Sequence, residues 1–257
     1  MKRIDFLGCP MDTASMSETV EAVRDAVISD RFTQHVVVNV AKLVNMRKDA
    51  ELNESVRCCD IINIDGMGIV LGARFLGYEI PERVAGIDLF HELLAMSEHE
   101  GFSVFLLGAK QDVVEATVVK SQALFPNLRI AGYHHGYFWE DEASVVDKIR
   151  ASGAKLLFVA ITSPNKENFI NRWRDKLGVI FVMGVGGTFD VVSGKVNRAP
   201  YWMQRHGLEW LYRVIQEPSR MWKRYLITNT IFSWTLIVER LRSVNIRSKS
   251  SPKSKQP

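Results

Sequence analysis

The chain has 257 residues, 47% of them hydrophobic and 24% charged, which are ordinary values for a soluble globular protein. Its three cysteines, Cys9, Cys58 and Cys59, form no C-x-x-C motif, which excludes a zinc or dithiol redox site of that kind and indicates a reduced, cytoplasmic setting. The first residues lack the apolar segment of a signal peptide.

Charge is unevenly distributed along the chain, whose formal net charge is +4. From residue 195 to the end there are 13 Lys or Arg against 3 Glu, whereas residues 1–194 hold 20 Lys or Arg against 26 Asp or Glu. A basic C-terminal part on an acidic body indicates contact with an anionic partner, either phospholipid or nucleic acid. A basic segment that is merely solvated is the alternative.

Strands and helices alternate along most of the sequence. Strands are predicted at residues 2–7, 36–39, 61–64, 102–107, 128–132, 155–161 and 179–183, and helices at residues 15–30, 40–47, 89–99, 111–124, 142–151 and from about 165. Such units predict parallel strands joined by right-handed crossovers. The fold class is therefore α/β, a Rossmann-like, mostly parallel sheet with helices on both faces, and ligands are expected at the carboxyl ends of the strands.

Polar residues follow the first predicted strands. Asn39 either binds a ligand or caps the helix that comes next. Asp65, beside Gly66, is placed to act as a base or to hold a sugar hydroxyl, and a turn-forming aspartate is the alternative. Arg83 and Asp88 then supply a cation and a second carboxylate ahead of a helix.

The strand at residues 155–161 runs into the start of a helix that carries Lys166 and Glu167. A helix N-terminus at the carboxyl end of a strand presents free N–H groups and suits an anionic ligand. Lys166 would add positive charge there, and Glu167 would hold ribose or sugar hydroxyls. Capping of the helix is an equally good explanation for Glu167.

A glycine-rich loop follows the last predicted strand. Gly184, Gly186 and Gly187 would let backbone N–H groups approach a diphosphate closely, while Asp190 offers an acceptor and Arg198 a positive charge. The third small residue of the dinucleotide fingerprint is missing, because position 189 is Phe. The loop therefore predicts a ligand site that is not an NAD site, although glycine-rich turns after strands are also common without any ligand.

The C-terminal part predicts a helical, basic appendage. Arg213, Arg220 and Arg224 are separated by 7 and 4 residues, which predicts one face of a helix, with a solvated face as the alternative. The apolar run at residues 225–238 is too short and too polar to span a bilayer. It favours an interfacial helix on an anionic membrane, and its rival is burial against the body or in a subunit interface.

The residues named so far, with several others, carry a resemblance. In order along the chain they are Asp65-Gly66, Arg83-Val-Ala-Gly-Ile-Asp88, Gly136-Tyr137-Phe138, Ser163-Pro164-x-x-Glu167, Gly184-Val-Gly-Gly-x-Phe-Asp190, Gly194, Arg198-Ala-Pro200, Gly207-Leu-Glu-Trp210, Arg213 and Pro218-x-Arg220. This pattern resembles the WecG/TagA/CpsF glycosyltransferases, family 26, over residues 5–225. Each piece is weak alone, and the joint pattern is highly specific.

The resemblance implies an inverting bacterial enzyme that moves a sugar from a nucleotide donor, usually a UDP-sugar, to a polyprenyl-diphosphate-linked saccharide. It implies a peripheral protein at the cytoplasmic face of the inner membrane, and relatives suggest a dimer or trimer. Asp65 matches the proposed catalytic aspartate, and arginines like the three above belong to an appendage thought to touch the diphosphate. Residues 1–200 are then the catalytic domain, 201–247 the membrane-associating appendage and 248–257 a disordered tail.

No metal or cofactor is predicted. The sequence contains no D-x-D, so the metal–carboxylate clamp common in nucleotide-sugar transferases has no candidate. His134 and His135 match no familiar metal-ligand spacing, and surface histidines are the favoured interpretation. Two positions depart from the family pattern: Val37 stands where Thr is frequent, and Lys166 stands where Gln is usual. A cation at position 166 would favour an acidic sugar or engage the diphosphate.

Two other function classes compete with membrane-associated glycosyl transfer. A Rossmann-type NAD(P)-dependent oxidoreductase is disfavoured because the glycine-rich loops do not match the dinucleotide fingerprint. A nucleic-acid binder that uses the basic tail is disfavoured because the acidic body carries carboxylates at its strand ends, so no nucleic-acid partner is expected.

Overall fold

The computed structural model of the protein describes residues 1–250, and for residues 220 and 243–250 it describes the backbone alone. The strands are β1 (Arg3–Phe6), β2 (Cys9–Asp12), β3 (Thr33–Val38), β4 (Ile61–Ile64), β5 (Ser103–Gly108), β6 (Arg129–His134), β7 (Leu156–Ala160) and β8 (Phe181–Gly184). The helices are α1 (Met16–Ile28), α2 (Val40–Met46), α3 (Ala50–Arg57), α4 (Met67–Phe75), α5 (Gly86–Glu100), α6 (Gln111–Leu124), α7 (Glu142–Ser152), α8 (Asn165–Trp173), α9 (Thr188–Val192), α10 (Tyr201–Arg205), α11 (Glu209–Gln216) and α12 (Pro218–Ser250).

These strands form one sheet in the order β1-β2-β4-β3-β8-β7-β5-β6. The pair β1–β2 is antiparallel, and each of the other neighbouring pairs is parallel. The predicted α/β class with a mostly parallel sheet is therefore confirmed. Because parallel strands end at the same edge, the carboxyl ends of β4, β3, β8 and β7 lie side by side. We call this edge the rim.

Helices cover both faces of the sheet and bury its central strands. Every residue of β3 and of β7 is buried. One face packs against α1, α5, α6 and α9, where the rings of Phe90 and Phe158 meet edge to face with centroids 4.9 Å apart. The other face packs against α2, α3, α4, α7, α8 and α12. Strands covered on both faces carry near-continuous apolar runs, which is why their pattern could be recognised in the sequence.

Three elements of the N-terminal part were not predicted from the sequence. β2 has four residues including Pro10, so it shows no strand periodicity. α3 is mostly polar and begins at a capping Asp49, which accepts the N–H of Leu52 at 2.9 Å. α4 contains Gly72, where a Cβ atom would lie 2.7 Å from the ring of Phe232. Glycine weakens the helical signal in the sequence, but here it lets α12 approach closely.

The helical appendage contains a break that the arginine spacing did not predict. α11 ends at Gln216 and α12 begins at Pro218, so Arg213 lies on α11 whereas Arg220 and Arg224 lie on α12. The prediction that the three arginines share one face of a single helix is therefore wrong. Proline explains the break, because it cannot donate the N–H that a continuing helix requires and it fits the first turn of a new helix.

α12 packs along α2 and α4. Phe232 is buried there, and Thr235 accepts a hydrogen bond from Arg47 at 2.8 Å. The opposite side of α12 exposes large apolar side chains, namely Trp222, Leu226, Trp234, Ile237 and Leu241. The predicted burial against the body is therefore confirmed for one side of the apolar run, and the other side is exposed.

α12 continues through Ser250, so residues 248–250 are helical rather than disordered as predicted. The rest of that predicted tail, residues 251–257, lies outside the described residues. Within residues 1–250, none of the helices combines the length and the apolar character needed to cross a membrane. The boundaries 1–200 and 201–247 stay predictions.

Candidate active site

The rim brings the strand-end residues together in one place. Asp65 follows β4, and its N–H donates to the carbonyl of Val38 in β3 at 2.9 Å. Asn39 follows β3, and its Cβ atom lies 3.8 Å from the position that a Cβ atom at Gly66 would occupy. Gly186 follows β8, which is the strand after β3 in the sheet, and adopts φ of 56°. Asp65 and the glycine loop thus occupy the same rim.

Asp65 presents a carboxylate that is partly exposed and unengaged. Among the residues that the structure describes, this carboxylate accepts no hydrogen bond and forms no ion pair. Its pKa is raised, first by burial and also by the negative charge of Glu209, although Arg83, Arg213 and Lys42 act in the opposite direction. A raised pKa brings a carboxylate closer to the strength that proton abstraction requires.

Two arginines beside Asp65 are each paired with a different carboxylate. Arg83 forms an ion pair with Glu209 through Nη1 and Oε2. Arg198 makes a bidentate pair with Asp88, with nitrogen–oxygen distances of 2.6 and 2.7 Å. The Nε of Arg198 lies 4.0 Å from Glu209 Oε1. The segment after α9, the loop before α5 and the first turn of α11 therefore meet at this point of the rim.

A buried charge cluster lies behind the glycine loop. Lys42 of α2 and Lys166 of α8 both contact Oε1 of Glu167, at 2.7 and 2.8 Å, and their side chains are 5%, 7% and 3% exposed in that order. Lys42 also donates to the carbonyl of Val37 at 2.7 Å. We call these three residues the lysine–glutamate cluster. It carries one excess positive charge when both lysines are protonated.

The cluster strongly perturbs the acidity of its members. Burial raises the pKa of Glu167, but Lys42 and Lys166 outweigh that effect and leave the pKa at about 2. Burial lowers the pKa of Lys166 to about 8, helped by the charge of Lys42 and opposed by Glu167. Arg224 of α12 lowers it further, which places the appendage within electrostatic reach of the cluster. Glu167 is therefore ionised at neutral pH and tied to the two lysines.

Glycine fits each of the three loop positions for a different structural reason. A Cβ atom at Gly184 would lie 2.9 Å from Cδ and Cε of Lys166, so this glycine makes room for the buried lysine. Gly186 has a positive φ, which favours glycine, and its Cβ position lies 4.0 Å from Nζ of Lys166. Gly187 is exposed next to the carboxylate of Asp190. Gly186 is half-buried and its N–H donates to the carbonyl of Val159 at 3.4 Å, so Gly187 is the exposed glycine of the three.

The remaining predicted site residues are Asn39, Asp190 and Arg220. Asn39 caps α2, because its Oδ1 accepts the N–H of Lys42 at 3.0 Å, so the capping interpretation is correct while a ligand contact stays a prediction. Asp190 lies on α9, and its carbonyl accepts the N–H of Val196 at 2.9 Å. The side chain of Arg220 is outside what the structure describes.

The sequence prediction missed Lys42 and Glu209 as members of the site. Lys42 lies within the apolar run Val40–Met46, and a lone lysine among buried residues is a signal that could have been used. Glu209 belongs to the Gly207-Leu-Glu-Trp210 motif, but nothing local in that motif tells which arginine it meets. Across residues 1–250 no cluster of three or more His, Cys, Asp or Glu could hold a metal ion.

The Glycosyl transferase WecG/TagA/CpsF family matches residues 4–245 of the chain. The protein belongs to this family. It is 40% identical over 179 residues to the N-acetylglucosaminyldiphosphoundecaprenol N-acetyl-beta-D-mannosaminyltransferase of Bacillus subtilis strain 168, which covers 70% of this chain and 69% of the relative. It is 38% identical over 194 residues to the enzyme of the same name from Bacillus spizizenii, covering 76% and 73%.

Two kinds of charged group lie on the rim of this glycosyltransferase. An unengaged carboxylate with a raised pKa, Asp65, is able to accept a proton. Arginines and lysines converge on the same rim from the body and from the appendage, where they are able to stabilise a departing anion.

Proposed function

We propose that this glycosyltransferase moves a sugar from a UDP-sugar to a polyprenyl-diphosphate-linked saccharide with inversion at the anomeric carbon, in the synthesis of a bacterial cell-surface polysaccharide. The observation that carries the proposal is the free Asp65 carboxylate on the same rim as the glycine loop and a surplus of cations. The acceptor class follows the names of the two Bacillus relatives, which refer to N-acetylglucosaminyldiphosphoundecaprenol.

In the proposed step, Asp65 accepts the proton of the acceptor hydroxyl as the oxygen attacks the anomeric carbon of the donor. The new glycosidic bond forms as the bond between that carbon and the diphosphate oxygen breaks, and the bonding pair leaves with the nucleotide diphosphate. Attack in line from the opposite side inverts the configuration. The loop at Gly186 and Gly187, where Gly187 is exposed and Gly186 is half-buried, is the proposed cradle for the diphosphate.

The charge on the rim favours a diphosphate ligand. The cations are Lys42, Arg83, Lys166, Arg198, Arg213 and Arg224, and the carboxylates are Asp65, Asp88, Glu167 and Glu209. The surplus of two positive charges offsets the charge of the leaving nucleotide. We propose that these side chains do so without a divalent ion, since the sequence has no D-x-D clamp. Lys166 is the proposed contact for the diphosphate or for an acidic donor sugar.

The direct test is a panel of UDP-sugars offered with polyprenyl-diphosphate-linked N-acetylglucosamine, with products read by mass spectrometry. We expect one donor to extend the acceptor by a single sugar, with activity unchanged by EDTA and with the new linkage inverted by NMR. Calorimetry should show UDP binding and no NAD binding. Absence of transfer from every donor, or binding of NAD in preference to UDP, contradicts the proposal, and the second result favours an oxidoreductase.

We further propose that the enzyme attaches peripherally to the cytoplasmic face of the membrane through α12. The exposed residues Trp222, Leu226 and Trp234 are separated by 4 and 8 positions, so they share one side of the helix. Arg240 and Arg242 follow on the same helix, and a helix that combines exposed aromatic and basic residues suits an anionic leaflet. A homo-oligomer that buries this side in a second copy is the competing proposal.

Replacing Leu226 and Trp234 with serine is expected to reduce flotation with phosphatidylglycerol-containing vesicles by at least about tenfold, because two large apolar side chains no longer enter the interface. Ile28 and Val119, which are 58% and 65% exposed on α1 and α6, provide the matched serine control and should leave flotation unchanged. Unchanged flotation of the Leu226 and Trp234 variant, together with a smaller particle in sedimentation, would instead assign this side of α12 to an oligomer interface.

A further inference from the structure

Glu209 is a charged group that the appendage places beside Asp65. It lies in the first turn of α11, and its side chain is 27% exposed. Its ion-pair partner Arg83 precedes Val84, whose N–H donates to the carbonyl of Ile64 at 3.0 Å, so Glu209 and Asp65 lie in the same part of the rim. The proposed reaction gives Glu209 no part, yet a second carboxylate close to a base is costly unless it has a compensating role.

The partners of Glu209 indicate that role. Arg83 is paired with Glu209, and Arg198 is paired with Asp88 while its Nε faces Glu209 at 4.0 Å. Both guanidinium groups act on Asp65 through their charge, but neither forms an ion pair with it among residues 1–250. Each arginine near the base is therefore held by a carboxylate other than the base.

The charges that face Asp65 come from four parts of the chain. They are Lys42 from α2, Arg83 from the loop before α5, Arg198 from the segment after α9, and Glu209 and Arg213 from α11. Glu209 is the anion in this group. Without it, Arg83 would lose its carboxylate, while Asp88 still holds Arg198 and Glu167 still holds Lys42. An arginine paired with Asp65 would hold the carboxylate ionised and weaken it as a base.

We propose that Glu209 is a positioning residue. It holds Arg83, and together with Asp88 it holds Arg198. Neither arginine then pairs with Asp65, and the base remains free for the acceptor hydroxyl. This inference rests on the proposed function, because it presupposes that Asp65 is the base. It also gives α11 a specific role, since the appendage then completes the surroundings of Asp65 as well as supplying arginines.

The test is the pH dependence of kcat/KM in Glu209→Gln. Removing the negative charge lowers the pKa of Asp65, so the acidic limb of the profile should move to lower pH by at least about half a unit. Arg83, once released, should also pair with Asp65 and block it, which lowers the plateau of kcat by roughly tenfold, with the KM for the donor within about threefold of the parent value. Glu79→Gln, an exposed change of the same charge in the loop before α5, should leave the profile unchanged.

Should the glutamine variant fail to fold, Glu209→Asp serves the same purpose, since its shorter side chain keeps the charge but withdraws it from Arg83. The expected shift then has the same sign and a smaller size. An acidic limb that stays in place or moves to higher pH overturns the inference, and so does a change confined to the KM for the donor.

The outcomes also separate this inference from the proposed function. Normal turnover in a folded Asp65→Asn variant would remove Asp65 as the base and with it the role of Glu209, whereas sugar transfer itself would stand. An inactive Asp65→Asn variant combined with an unmoved acidic limb in Glu209→Gln would overturn the role of Glu209 alone.

Discussion

Replacing Asp65 with asparagine is expected to lower kcat by about 10²–10⁴, the range typical for loss of a general base. Asparagine has nearly the same shape but cannot accept the proton of the acceptor hydroxyl. The carboxylate forms no hydrogen bond or ion pair within the described part of the chain, so its removal should leave the fold intact. Turnover is measured with the donor identified in the UDP-sugar panel, and folding by circular dichroism and thermal unfolding.

UDP binding provides an internal check on this variant. Asp65 is proposed to contact the acceptor rather than the diphosphate, so the affinity for UDP should be unchanged or higher, since one negative charge near the diphosphate is lost. Asp175, whose side chain is 95% exposed, offers the matched asparagine control and should retain full activity. A folded Asp65→Asn enzyme with parental kcat would show that another group takes the proton.

Replacing Glu167 with alanine is expected to lower the free energy of unfolding by about 3–5 kcal/mol, the range for breaking a buried ion pair by removing one partner. The change leaves the ammonium groups of Lys42 and Lys166 buried side by side, with the Val37 carbonyl as the remaining partner of Lys42. The effect is measured by urea unfolding followed by circular dichroism near neutral pH. A loss of this size would show that the ammonium groups of Lys42 and Lys166 are left buried without a compensating charge.

The pH dependence of the same variant has a definite sign. A buried ammonium without a carboxylate has a folded pKa below its unfolded value, so the unfolded chain binds more protons and stability rises with pH. The alanine variant should therefore regain part of its lost stability as the pH is raised above about 8. Glu21→Ala, which breaks the exposed pair with Arg24, should change stability little at any pH. Equal losses in the two variants would contradict the buried-charge explanation.

The sequence predicted the α/β class, the parallel strands and the strand-end positions of Asn39 and Asp65 because buried parallel strands leave a strong local pattern. It did not predict the partners of the charged residues. It placed Lys166 and Glu167 at a ligand site but did not indicate that both side chains are buried and joined to Lys42. Such pairing depends on which helix packs beside which strand end, and no local pattern encodes it.

The helical appendage also separates what the sequence predicts from what tertiary contacts determine. The arginine spacing alone predicted one helix, and the break at Pro218 shows that a single residue outweighs that spacing. Which side of α12 is covered was decided by its contact with α2 and α4, where Gly72 admits Phe232.

By itself, the sequence determined that this protein has a parallel α/β body with carboxylates and glycines at its strand ends, a basic helical appendage, and the motif order of one glycosyltransferase family. Only the tertiary structure decided that Glu209, far from Asp65 along the chain, holds Arg83 beside that carboxylate. The physical reason is that periodicity and turn chemistry act over a few residues, whereas the electrostatic surroundings of a site are set by segments that meet only after the chain has packed.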